Sequence, residues 1–73
     1  MELPQILGRN VREARVSLGI SQEELAFRAG MKRSYVSDLE RGTRNPSIKA
    51  VARLAGALNL SPDRLLRAPE PQQ

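Results

Sequence analysis

The stretch Ser21–Arg41 reads SQEELAFRAGMKRSYVSDLER and contains two short helical patterns on either side of a glycine. Ser21, followed three residues later by Glu24, forms a capping box, in which each side chain satisfies a backbone N–H at the start of a helix. Gly30 is placed to end that helix, because glycine adopts a left-handed backbone at the least steric cost. The first helix of the stretch is therefore predicted over Gln22–Ala29.

The second helical pattern has apolar residues on one side only, with Val36 and Leu39 one turn apart. The small residue Ala26 precedes Gly30 by four positions, which suits two helices that cross steeply over a short turn. Together these features predict a helix-turn-helix over residues 22–41. An ordinary αα-hairpin inside a helical bundle would use the same caps and the same glycine, and it is the alternative at this point.

The composition excludes several kinds of chemistry. The chain has 73 residues, enough for one small domain, and it contains neither cysteine nor histidine. Thiolate nucleophiles, disulfides, the usual nitrogen ligand of zinc and the usual acid–base group near neutral pH are therefore absent. We expect no catalytic residues, no metal site and no cofactor, and hence a protein that is not an enzyme.

Positive charge is concentrated from the end of the first motif helix through the second and beyond. The chain has 12 Lys and Arg against 8 Asp and Glu, a net charge of +4, and the segment 28–53 holds seven cations against two anions. Such an excess favours a polyanionic partner, although inert small domains can be equally basic. No apolar run has membrane-spanning length and residues 1–8 lack the form of a signal peptide, so we expect a cytoplasmic protein without a membrane partner.

Three further helices are predicted outside the motif. Leu7, Val11, Ala14 and Leu18 recur at helical spacing and mark a helix over Pro4–Leu18.

Asn45 followed by Pro46 fits a cap and a first-turn proline, which predicts a helix over Pro46–Leu58. Ser61 and Pro62 begin a short last helix that ends near Arg67. The fold class is therefore all-α with five helices, as one domain over residues 1–67 and a disordered tail over residues 68–73.

As a whole, the sequence resembles the Cro/repressor-type (XRE-like) helix-turn-helix family over about residues 5–66. The resemblance rests on SQEELA at 21–26, the Gly30 corner, RSYVSDLERG at 33–42, RNPS at 44–47 and SPDRLL at 61–66. It implies a compact, lambda-repressor-like DNA-binding domain. The phrase ERGTRNPS is also similar to the stand-alone controller proteins of restriction–modification operons.

The resemblance implies that the second motif helix lies in the major groove of DNA. The implied base-reading residues are Arg33, Ser34, Tyr35, Ser37 and Asp38. Arginine can donate two hydrogen bonds to guanine, and serine can pair with donors or acceptors. Asp38 has two interpretations: it accepts from cytosine N4, or it is an intrahelical partner of Arg41 or Ser34.

The family also implies phosphate contacts from the start of the first motif helix and from the loop after the second. These positions hold Gln22, Arg44, Asn45, Ser47 and Lys49. Lys32 replaces the small hydroxyl residue usual at the second helix cap, and as a cation beside the DNA backbone it is a further candidate. Such contacts fix the position of the protein on the duplex and carry little sequence information.

Two other expectations concern the interior of the domain. Arg15 and Glu40 match positions that form a buried ion pair in several relatives, which implies a structural role; losing one partner would cost about 3–5 kcal/mol. Phe27 is expected in the core, because phenylalanine is usually buried.

A single helix in one groove makes too few contacts for useful specificity, so we expect a homodimer. The candidate interface consists of the late leucines Leu54, Leu58, Leu60, Leu65 and Leu66. The alternative is that these residues complete the core of a monomer.

The sequence thus predicts a transcriptional regulator that binds an inverted-repeat operator in double-stranded DNA, with no small-molecule ligand. A phage-type repressor and an antitoxin-like autoregulator are alternatives in the same class. A protein-interaction adaptor that keeps the fold but has lost DNA binding is an alternative of a different class.

Overall fold

The computed structural model describes residues 1–69, which form five α-helices and no β-strand. The helices are α1 (Leu3–Ser17), α2 (Gln22–Ala29), α3 (Arg33–Glu40), α4 (Ile48–Ala57) and α5 (Pro62–Leu66). The predicted all-α fold with five helices is confirmed, and α2 has the predicted bounds. Of the predicted tail over 68–73, Ala68 and Pro69 follow α5, and residues 70–73 lie outside the described residues.

The turn between α2 and α3 is built as its sequence predicts. Gly30 has φ 68°, in the left-handed region, and the Met31 N–H donates to the Ala26 carbonyl oxygen at 2.8 Å. Ser21 Oγ accepts from the Glu24 backbone N–H at 3.0 Å, whereas the Glu24 carboxylate pairs with Arg28 at 2.8 Å. Only one half of the predicted capping box is therefore formed.

The core gathers apolar side chains from all five helices. α3 packs against α1 and α2, α4 packs against α2 and α5, and α1 packs against α5. Two helices thus pack against the buried side of α3. The buried apolar residues are Leu7, Val11, Leu25, Ala26, Ala29, Val36, Leu39, Val51, Leu54, Ala55, Leu58 and Leu65.

The prediction that Phe27 lies in the core is wrong, because its side chain is 82% exposed. α2 turns Leu25, Ala26 and Ala29 inward. At about 100° of rotation per residue, Phe27 lies roughly opposite Leu25 on the helix. Leu18 is also exposed, since α1 ends at Ser17 and Leu18 is its cap.

The predicted start of α4 is also wrong. The helix begins at Ile48, and Ser47 rather than Asn45 is its cap, with Oγ accepting from the Ala50 N–H at 3.1 Å. Asparagine and serine are comparable caps, so the choice depends on which one reaches a free N–H. Ile48, at the first position of the helix, is 90% exposed.

The late leucines divide into two groups. Leu54, Leu58 and Leu65 are buried within one protomer, which corrects their assignment to a dimer interface. They fill the space where α4 and α5 meet the rest of the core. Leu60 is half-buried against the core and Leu66 is 40% exposed, so these two retain surface that a partner could cover.

Candidate nucleic-acid interface

α3 has one buried side and one polar side. Val36 and Leu39 are in the core, whereas Arg33 and Ser34 at the start of the helix are exposed. The helix is held by its apolar side, so its polar residues point away from α1 and α2. This arrangement presents hydrogen-bonding groups on a rigid element.

Cations without an acidic partner flank the polar side of α3. Lys32 is the cap residue of α3 and makes no side-chain cap bond. Within residues 1–69, Lys32, Arg33 and Lys49 have no carboxylate oxygen within 4.0 Å. Their charge is therefore available to an anionic ligand.

Asp38 is the centre of an ion-pair cluster at the far end of α3. Its carboxylate pairs with Arg41 Nη2 and, at 3.5 Å, with Arg44 Nη2. Arg41 also donates from Nη1 to Ser37 Oγ at 3.1 Å, and the Arg44 guanidinium lies 4.8 Å from the centre of the Tyr35 ring. The pairing of Asp38 with Arg41 is thus present, and the pairing with Ser34 is not.

The candidate phosphate-binding residues differ in whether their side chains already form hydrogen bonds within the protein. The Gln22 amide nitrogen donates to Glu40 Oε1 at 3.1 Å, which fixes it at the N-terminus of α2. Ser47 Oγ accepts the cap bond of α4, so its own O–H is left to donate. Asn45 and Lys49 are exposed on either side of Ser47.

Arg15 and Glu40 form a two-pronged ion pair between α1 and α3. Arg15 Nε donates to Glu40 Oε2 at 2.7 Å, and Nη2 donates to Oε1 at 3.0 Å. Arg15 Nη1 reaches the Ile20 carbonyl at 3.0 Å, and the Glu40 side chain is only 4% exposed. The hydrogen bond with Glu40 raises the pKa of Arg15 above its ordinary value, so the guanidinium group keeps its charge.

Two features of this surface were not found from the sequence. The sequence indicates Arg41 only as a partner of Asp38, whereas in the structure its exposed side chain contacts both Ser37 and Asp38. Its one-turn spacing from both residues was the available signal. The stacking of Arg44 on Tyr35 crosses from the loop to the helix, and no sequence spacing predicts it.

Within residues 1–69, no group of three or more acidic residues could hold a metal ion. None of the helices described is long and apolar enough to cross a membrane.

Comparison with known proteins agrees with this geometry. A family model described as "Helix-turn-helix" matches residues 11–65. The chain belongs to the helix-turn-helix family. The predicted family is confirmed, and the protein is a DNA-binding transcriptional regulator of the Cro/repressor type, as its sequence predicts.

Several members of this helix-turn-helix family are close to the chain. Control protein C.BamHI from Bacillus amyloliquefaciens is 44% identical over 62 residues, which cover 84% of this chain and 76% of that protein. The crystal structure of the restriction-modification controller protein C.AhdI from Aeromonas hydrophila has a TM-score of 0.82 at 45% identity, over 85% of this chain and 94% of that one. The crystal structure of the hypothetical transcription factor NHTF from Neisseria has a TM-score of 0.90 at 40% identity, over 93% of this chain and 78% of that one.

Proposed function

We propose that this helix-turn-helix regulator binds an inverted-repeat operator in double-stranded DNA as a homodimer and controls a restriction–modification operon. The observation that carries the proposal is the exposed start of α3, where Lys32 and Arg33 have no acidic partner among residues 1–69. The similarity to C.BamHI and C.AhdI, which are named as control proteins, supports the choice of regulated operon.

Each group on this surface has a chemical role in the proposal. Arg33 and Ser34, at the start of α3, reach base edges in the major groove. Tyr35 and Ser37 lie further along the same helix and complete the base-reading set, whereas the Asp38 carboxylate is paired with Arg41 and Arg44. The remaining polar groups hold phosphates on either side of the groove: Gln22, Lys32, Arg44, Asn45, Ser47 and Lys49.

The dimer interface is proposed at the exposed parts of the Leu60 and Leu66 side chains. Leu60 lines a groove between α1 and α5 together with the exposed Leu18, which adds apolar surface beside Leu60. A two-fold dimer would place two copies of α3 on one side of the duplex, about one helical turn apart. The sequence-specific contacts of one copy are then doubled.

The test of the function is a selection from random-sequence duplexes with the purified protein, repeated at two salt concentrations. An inverted pair of half-sites with centres about 34–36 Å apart is expected. Salt-sensitive binding that enriches no motif would contradict a sequence-specific regulator and would favour the adaptor.

The dimer is tested separately by sedimentation equilibrium of Leu66→Lys. We expect this variant to dissociate at concentrations where the unaltered protein is dimeric, because the new charge would be buried in the interface. Val16→Lys is the matched control, since Val16 is also an exposed apolar residue but lies on another helix, in a groove beside Arg9 and Arg12. Equal association of both variants would exclude Leu66 from the interface.

A further inference from the structure

Asp38 is bound by two arginines, Arg41 at the end of α3 and Arg44, which is one of the proposed phosphate contacts. Arg41 follows it by one turn of α3, and Arg44 reaches back to it from the loop after the helix. The Thr43 backbone N–H and Oγ1 both donate to the Asp38 carbonyl oxygen, at 3.1 and 2.9 Å. The start of this loop is therefore tied to the same residue by main-chain and side-chain bonds.

The two arginines have the position and chemistry of phosphate ligands. Their side chains are 61% and 46% exposed, so both guanidinium groups are within reach of solvent. A guanidinium binds a carboxylate and a phosphate through the same planar set of N–H donors. In the free protein the Asp38 carboxylate therefore occupies donors that DNA would also use.

We propose that Asp38 is an internal counter-anion that weakens the binding of Arg41 and Arg44 to DNA outside the operator. This inference rests on the proposed function, because it concerns the same surface. An arginine that already holds a carboxylate must give up that pair when it takes a phosphate, so the exchange yields less free energy than binding by an unpaired arginine. The carboxylate also repels nearby phosphates.

The operator complex overcomes this competition because α3 is fully inserted in the groove. There the base contacts of Arg33 and Ser34 add free energy that a non-operator sequence does not supply. Asp38 thus lowers affinity for all DNA, and lowers it most where no base contacts compensate. It is a specificity-determining residue that acts through two neighbouring arginines.

Asp63 provides a matched control for the charge change. It pairs with Arg67 at 3.5 Å, the same distance as between Asp38 and Arg44, and it lies on α5. α5 packs against α1 and α4. Asp38→Asn and Asp63→Asn therefore remove the same charge on different helices, from two arginine pairs at Asp38 and from one at Asp63.

The experiment measures the affinity of both variants for a short duplex of random sequence over a salt series. We expect Asp38→Asn to bind about 3- to 10-fold more tightly than the unaltered protein at low salt, with the salt slope steeper by about 0.9 for each arginine released. Asp63→Asn should change the affinity less than about 2-fold, through the net charge alone. A gain in affinity cannot arise from loss of folding.

A double-mutant cycle tests whether Asp38 affects DNA binding through the two arginines. When Arg41 and Arg44 are both alanine, the effect of Asp38→Asn should fall to the change of less than about 2-fold expected from net charge alone, since no donors are then released. On the selected operator, Asp38→Asn should gain less affinity than on random sequence, so the ratio of the two affinities falls.

Two outcomes separate the inference from the proposed function. If the unaltered protein binds the duplex and Asp38→Asn matches Asp63→Asn, the inference is overturned and the function stands. If neither the unaltered protein nor any variant binds duplex DNA at low salt, the proposed function is overturned, and the inference falls with it.

Discussion

Gly8 in α1 faces the backbone carbonyl of Leu39 in α3, with no space for a side chain between them. A Cβ at position 8 would lie 2.9 Å from the Glu40 carbonyl oxygen and closer still to that of Leu39. Both obstacles are backbone atoms, which cannot turn aside as a flexible side chain can. Gly8 therefore sets how closely the supporting helix approaches the helix proposed to read DNA.

Gly8→Ala should destabilise the protein by about 1–3 kcal/mol, although alanine favours the helix by about 1 kcal/mol. Urea unfolding measures the difference. Gly56→Ala is the control, because a Cβ at this helical position meets nothing within 4 Å and should stabilise by about 0.5–1 kcal/mol. A Gly8→Ala protein as stable as the original would show that α1 and α3 can move apart freely.

Arg15→Ala should cost about 3–5 kcal/mol, because it leaves the nearly buried Glu40 carboxylate with only the Gln22 amide as a side-chain partner. The exposed pair between Arg9 and Glu13 is the control, and Arg9→Ala should change the free energy of unfolding by less than about 1 kcal/mol.

The combined change of Arg15→Met and Glu40→Leu should recover much of the lost stability, since it removes both charges together. Thermal and urea unfolding of the four proteins would measure these differences. A cost below about 1 kcal/mol for Arg15→Ala would mean that the pair is screened like a surface one.

Ser47→Ala should destabilise the protein by about 1 kcal/mol, because Ser47 Oγ satisfies the Ala50 N–H at the start of α4. Asn45→Ala is the matched control and should have little effect on stability, since Asn45 lies before the observed cap. Both variants are compared by urea unfolding without DNA, which separates the cap from any phosphate contact. The opposite order of effects would place the start of α4 at Asn45.

Local sequence signals predicted the fold correctly where a residue type or spacing is typical of one conformation. Gly30 predicted the left-handed end of α2, and the spacing of Val36 and Leu39 predicted the buried side of α3. At α4 two good cap residues stood two positions apart, and local propensity could not choose between them. The prediction for Phe27 is wrong because the general tendency of phenylalanine to be buried takes no account of the position of the residue around the helix.

The part of the site that depends on tertiary structure could not be read from the sequence. The close approach of Gly8 to α3 depends on how the two helices dock. Spacing along α3 suggested the pair of Asp38 with Arg41, but Arg44 joins that pair only because the loop folds back. Contacts within one helix were predictable, and contacts between elements needed the structure.

Arg33→Ala should relax base preference at one position of each half-site by about 1–3 kcal/mol, because Arg33 is exposed at the start of α3 and its two-pronged contact with guanine would be lost. The measurement is the affinity for operator duplexes that carry each of the four bases at every position of one half-site. The higher affinity for duplexes that carry the preferred base should disappear at a single position of the half-site.

Lys32→Ala is the control, one residue earlier and equally without a carboxylate partner among residues 1–69. We expect Lys32→Ala to weaken all duplexes by a similar factor and to reduce the salt slope by about 0.9, which is the effect of one lost phosphate contact. If Arg33→Ala instead weakened all sequences equally, as expected for Lys32→Ala, Arg33 would be a phosphate ligand, and base reading would have to come from residues further along α3.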